Sequence, residues 1–310
     1  MRSWRSLSIL VFEQLFTVSA PASEFAAVNI TPSPDTLIRF DTHSPATAFE
    51  KMAVLAGNFV RGLDLVSRTE GWYVCTSSSD GTPTGLFHLL NGVSTLVAPL
   101  PFNAGAPGGM TLDADNEALY VALDPPGSQA VTLYLVDFSG HFTEIGPITL
   151  AGASPEISGL AADPISGNLY AIDNTTDSLL LINPMTGAAT RVGAGLGVPA
   201  DAVGGADFDG NGVLVIATGI GSVYEVNTTN GVAGPLLGQL PFRTSSIAWI
   251  PCNNVCLGDL NADFFVNESD LGILLQAWQQ TAVGDLDCDG ATDETDLGIL
   301  LQHWLTSCGE

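Results

Sequence analysis

The chain has 310 residues, enough for one large domain and one small one. Eight Lys and Arg stand against 33 Asp and Glu, a formal charge of −25 that excludes nucleic acid and anionic membrane surfaces as partners. Hydrophobic residues make up 46%, yet 34 Gly and 18 Pro accompany them, a mixture that suits many short strands joined by tight turns.

Residues 1–22 have the features of an export signal: Arg2 and Arg5, an apolar run from Leu7 to Phe16 broken by Glu13 and Gln14, and a small-residue cleavage site at Ala20-Pro21-Ala22. A disordered tail or a misplaced start are the other readings. The protein is expected outside the cell or at its surface, as a monomer. No later run is long and apolar enough to span a membrane.

From 25 to 250 a longer period appears. Gly62-Leu-Asp-Leu, Gly109-Met-Thr-Leu-Asp, Gly159-Leu-Ala-Ala-Asp, Gly205-Ala-Asp-Phe-Asp and Ser246-Ile-Ala-Trp recur at steps of 47, 50, 46 and 41 residues. After each of the first four come apolar strands, such as Leu169–Ile172 and Leu179–Ile182, then a Gly turn and a last strand. Asn91-Gly92 and Asn230-Gly231 are hairpin signals. Four strands per repeat of this length predict β-propeller blades. The fold class is therefore mainly β, with five blades. Three early strands (25–30, 37–40 and 49–55) and one late strand (246–250) share a blade and so close the ring. Six blades follow if the irregular opening hides another. A β-sandwich fits the regular repeats less well.

The run Leu169-Tyr-Ala-Ile-Asp with Ile182-Asn-Pro and Thr186-Gly187 resembles a broad class of bacterial propellers that has lactonase-like, quinoprotein-like and NHL-like members. That resemblance names a blade and not an activity. Asp64, Asp113, Asp163, Asp207 and Asp209 follow the repeated small residues; Asp163-Pro164 and Asp209-Gly210 read first as turn residues that cap local backbone. A surface calcium at Asp207, Asp209 and Asn211 is the other reading. Glu156, Asp201, Asp124, Asp173 and Asn174 fall in loops that could reach a channel mouth. His43, His88, His141 and His303 share no spacing that suggests ligands, and no nucleophile turn, phosphate loop or dinucleotide fingerprint is present.

Residues 251–257 read as a linker and 258–308 as a small α-helical module in which one unit is written twice. Oxygen-bearing residues alternate in each copy, and calcium takes six to eight oxygens from a loop of about twelve residues. Copy one offers Asp259, Asn261, Asp263, the carbonyl of Phe265, Asn267 and Asp270; copy two offers Asp285, Asp287, Asp289, the carbonyl of Ala291, Asp293 and Asp296. Two Ca2+ sites are expected, the second tighter because Gly290 holds the sharp turn where copy one has Phe264. Asp270 and Asp296 are expected at helix N-caps. Leu271, Leu274, Leu275 and Trp278, and likewise Leu297, Leu300, Leu301 and Trp304, are each expected to form one apolar stripe. Two solvated acidic turns before packing helices are the bland alternative.

These duplicated units resemble the dockerin family, over about 257–305. The resemblance implies a calcium-stabilised module that docks on a cohesin-like or cell-surface scaffold protein, with contacts at Glu268, Ser269, Glu294 and Thr295. Among Cys252, Cys256, Cys288 and Cys308 a clasp from Cys256 to Cys308 is favoured, with the other pairings open; Cys75 reads as a buried thiol. The resulting expectation is a non-catalytic binding propeller carrying a docking module. The alternative is a hydrolase, of lactonase or glycan-processing type, tethered by the same module.

Overall fold

The computed structural model describes residues 24–31, 34–42, 45–46, 49–56, 58–77, 84–102, 105–113, 117–127, 130–200, 204–251, 258–261, 265–278, 284, 286 and 292–306. The predicted signal, all four tail cysteines and half of the second calcium loop lie outside them.

Five sheets, antiparallel except for one short parallel pairing, stand around one axis. The first joins the chain's two ends: β1 (Glu24–Asn29), β2 (Thr36–Asp41) and β3 (Phe49–Val54) with the late strand β21 (Thr244–Trp249). The second holds β4 (Asn58–Leu65), β5 (Glu70–Ser77), β6 (Gly85–Leu90) and β7 (Val93–Pro99). The third holds β8 (Gly105–Leu112), β9 (Leu119–Asp124), β10 (Thr132–Val136) and β11 (Phe142–Pro147). The fourth adds the short β12 (Thr149–Leu150) to β13 (Ile157–Ala162), β14 (Leu169–Asp173), β15 (Ser178–Ile182) and β16 (Ala188–Arg191). The fifth holds β17 (Gly205–Phe208), β18 (Leu214–Ala217), β19 (Ser222–Val226) and β20 (Ala233–Gln239).

The inner strands β21, β4, β8, β13 and β17 touch in a closed cycle. The fold is a five-bladed propeller, and the shared first blade closes it through pairs from Phe25↔Trp249 to Asn29↔Thr244. Successive residues of β1 go to different cores: Ala26 and Val28 face the wedge between the first and second blades, Phe25 and Ala27 the wedge between the fifth and first. A strand buried on both faces reads as an unbroken apolar run.

The repeated glycines sit where inner strands cross most closely. A Cβ on Gly62 would stand 2.5 Å from the Met110 nitrogen, on Gly109 2.7 Å from that of Leu160, and on Gly159 2.9 Å from that of Ala206. Asn91-Gly92 forms the expected two-residue turn, with φ of 50° and 76°. Asn230-Gly231 does not. There Asn227 starts a longer turn, its side chain accepting from Thr229 and Asn230 and its carbonyl from Gly231. The side chain three residues upstream thus sets the turn type.

In the tail, α1 (Glu268–Gln276) and α2 (Glu294–Gln302) repeat one design. Their N-caps are Asn267 and Asp293, not Asp270 and Asp296; the latter stand three residues in and complete capping boxes. Leu274 and Leu300 are buried with Val266 and Leu286, and Leu271, Ile299, Trp278, Leu297 and Trp304 pack around them. Leu275 and Leu301 are half exposed, so the predicted stripes are narrower than their spacing suggests. Among the described residues no helix is long and apolar enough to cross a membrane.

Candidate functional site at the channel mouths

All five inner strands run the same way, so the channel has a leading mouth where they start and a trailing mouth where they end. At the trailing mouth each strand turns one N–H inward just after its repeated small residue: Leu65, Leu112, Ala162, Phe208 and Trp249. Three side chains serve all five. Asp64 accepts from Leu65 at 2.7 Å and from Leu112 of the next blade at 2.6 Å. Thr111 accepts from Ala162 of the next blade at 3.1 Å and donates its hydroxyl to Asp64 at 3.1 Å. Asp207 accepts from Phe208 at 2.8 Å and from Trp249 of the next blade at 2.6 Å. The equivalent residues of the remaining blades, Ala161 and Ala248, cannot accept, and there the following aspartate takes its own N–H instead. No backbone donor at this level is wasted.

These residues line a cavity of about 220 Å³ together with Asp113, Phe208 and Trp249. Burial outweighs the hydrogen bonds to Asp64 and pushes its carboxyl up to about 6. Burial also holds the Asp207 carboxyl well above its usual range, and the charge of Asp64 adds to the effect. Asp207 receives one donor fewer than Asp64.

Asp163 and Asp209 are local caps, as their turn setting predicts, and Asp113 and Asp173 act the same way. Asp163 accepts from Ile165, Asp209 from Asn211 and Val213, and Asp113 from Glu117 and Ala118. Asp173 accepts from Glu156, Thr175 and Thr176 around the β14–β15 turn. Asp201 and His43 lie outside the described residues. In the sequence Asp64 and Asp207 stand out no more than the other aspartates, and Thr111, Phe208 and Trp249 are marked only by their shared position in the repeat.

At the leading mouth the inner strands bulge. Register slips between Val60 and Gly62 and between Ile157 and Gly159 leave Arg61 and Ser158 as extra residues, and β21 slips near Ser245. Asp35 accepts the Val60 N–H at 3.0 Å and so holds the first bulge beside Phe59, whose φ is 63°.

In the tail, the Asp270 carboxylate folds under its loop and accepts from Leu260, Asn261 and Asn267. Asp296 repeats this with Leu286 and Asp293. Asp259, Asp270 and Asp296 are buried, and Asn261, Phe265, Asn267 and Asp293 lie closer to solvent. Asp263, Asp285, Asp287, Asp289 and Ala291 lie outside the described residues. Among the described residues no three His, Cys, Asp or Glu side chains gather about one point.

The profile of a repeat family, "Repeat of unknown function (DUF6923)", matches residues 85–241, from β6 through β20. No curated protein matches the sequence. Among solved structures, a protein of unknown function from Bacteroides thetaiotaomicron is similar at 13% identity and a TM-score of 0.45; 69% of this chain is covered, and this chain spans 58% of that one. Regucalcin from Agrobacterium tumefaciens strain C58, described as a calcium-binding protein, is similar at 18% identity and 0.44, over 75% of this chain and 80% of that one. A gluconolactonase from Xanthomonas campestris is similar at 14% identity and 0.46, over 73% and 79%.

Proposed function

The chain belongs to the DUF6923 repeat family, which supplies a blade but no activity, and we propose from its geometry that the propeller is a hydrolase working at the trailing mouth on a small uncharged ester or lactone. One observation carries this reading: two buried carboxyls of raised proton affinity face one small cavity. Asp64, ionised near neutral pH, is the general base that takes a proton from water as its oxygen adds to the carbonyl carbon. Asp207, still protonated, is the general acid that gives its proton to the leaving alkoxide as the C–O bond breaks. Unequal environments separate the two roles. Asp64, Asp113 and Asp207 around the cavity disfavour an anionic substrate.

The test is hydrolysis of a panel of lactones and aryl esters across pH. Asp64→Asn and Asp207→Asn are each expected to lower kcat by about 10²–10⁴-fold and to remove opposite limbs of a bell-shaped profile. Equal activity in wild type and both variants contradicts the assignment. A non-catalytic binding propeller is the second reading, and the commitment of the same carboxyls to backbone donors favours it. Folded protein that turns over no substrate, with variants altered only in stability, would select that reading.

The tail reading is a calcium module that docks on a cohesin-like partner. Its support is the burial of Asp259 and Asp270 in one loop, in a tail where no Lys or Arg follows Arg243. A bound cation would relieve the repulsion between buried carboxylates of this kind. Asp259, Asn261, Asn267 and Asp270 would hold the first ion, and Asp293 and Asp296, with the rest of their loop, the second; bound calcium would neutralise these carboxylates. Calcium titration followed by circular dichroism is expected to raise helicity, and a chelator to remove it while strand signal persists. Helicity indifferent to calcium would end this reading.

A further inference from the structure

The leading mouth, opposite the carboxyl pair, carries polar atoms of a different kind. Among the described residues four buried side-chain atoms have no hydrogen-bond partner: Arg61 Nε, Asn174 Nδ2, Ser245 Oγ and, in the tail, Thr292 Oγ1. Three of the four belong to this one end of the channel, and all three can donate.

Their setting is built from the backbone. Arg61 and Ser158 are the bulged residues of β4 and β13, and Ser245 lies at the slip in β21. Each immediately precedes the small residue at which neighbouring inner strands cross. The other two blades have Gly108 and Gly204 at this level. A Cβ on Gly108 would lie 3.6 Å from the Arg61 Cβ, so the positions of adjacent blades adjoin. The result is a ring with three polar positions and two glycines.

The donors are also oriented. Ser158 Oγ donates to Asn174 Oδ1 at 2.7 Å, which leaves Nδ2 as the face of that amide without a partner. The Arg61 guanidinium lies 5.8 Å from the Phe59 ring centroid. Asp35, its nearby acid, accepts from the backbone of Val60 and Phe59. A buried donor left unmatched costs on the order of 1–3 kcal/mol. Three at one level, one of them on a cation, make sense if an acceptor-rich group sits among them.

We propose that the leading mouth is an oxyanion-binding site, in which Arg61, Asn174 and Ser245 grip a carboxylate or sulfate group of a small ligand. The cationic side chain and the two neutral donors match that chemistry. The site is separate from the proposed hydrolytic cavity at the other end and stands whether or not that cavity hydrolyses anything.

The test uses the full chain with sodium sulfate and, separately, sodium gluconate, each measured by calorimetry against sodium chloride of matched ionic strength. Sulfate probes the bare oxyanion and gluconate a carboxylate on a hydroxylated body. Saturable binding of at least one is expected. Asn174→Asp, which keeps the acceptor for Ser158 but turns the outward donor into an acceptor, is expected to weaken it at least tenfold, as are Ser245→Ala and Arg61→Gln. Ser245→Ala is further expected to melt within about 2 °C of wild type in chloride alone, since the hydroxyl it removes has no partner. Wild-type protein that binds neither salt overturns the proposal. So does undiminished binding in Ser245→Ala or Asn174→Asp. Loss in Arg61→Gln alone also overturns it, because a general charge effect would explain that.

Discussion

The two mouths of the channel solve the same problem in opposite ways. At the trailing mouth five inward N–H groups meet three side chains, and every donor has an acceptor. At the leading mouth three donors, on Arg61, Asn174 and Ser245, are left without a partner among the described residues. The difference separates polarity that holds the ring together from polarity reserved for something else. It also shows that acidic residues at a channel mouth are not by themselves a ligand site: Asp64 and Asp207 bridge neighbouring blades.

The contrast can be broken by substitution. The largest effect is expected from Asp64→Ala, which strips the acceptor from Leu65, Leu112 and Thr111 and is expected to cost about 2–4 kcal/mol at pH 4 by urea denaturation. A cost below about 0.5 kcal/mol would mean that the bridge between blades is decorative. The pH series sharpens the point. The Asp64 carboxyl is raised in the folded state, so its contribution is fully present below its ordinary value of 3.8 and is lost as pH climbs through about 6. A rise of that size corresponds to roughly 3 kcal/mol. Wild type is therefore expected to lose stability between pH 4 and pH 7, and Asp64→Ala to lose less. At the other mouth, Ser245→Ala is expected to change stability least of all.

Much of the ring was legible because close packing leaves a mark. Where inner strands cross, only small residues fit, so Gly62, Gly109, Gly159, Gly205 and Ser246 announce five blades. The shared first blade follows from three strands at one end of the chain and one at the other. The bridges were not legible. Asp64 reaches Leu112 across a full repeat, and nothing local distinguishes it from Asp113 or Asp163, which cap their own turns. Bulges carry no residue signature either, so nothing in the sequence sets Arg61 apart. The helix starts were legible but misread: Asn267-Glu-Ser-Asp270 has the spacing of a capping box, which puts the cap at its first residue.

The hydrolytic reading rests on a pair of carboxyls that share a cavity and do not ionise together. Residue-resolved carboxyl titration by ¹³C NMR measures this without knowledge of the substrate. Asp64 is expected to titrate near pH 6 and Asp207 to remain protonated beyond its ordinary range, with Asp64→Asn lowering the Asp207 midpoint. Two carboxyls fully ionised below about pH 4.5, each indifferent to replacement of the other, would contradict it.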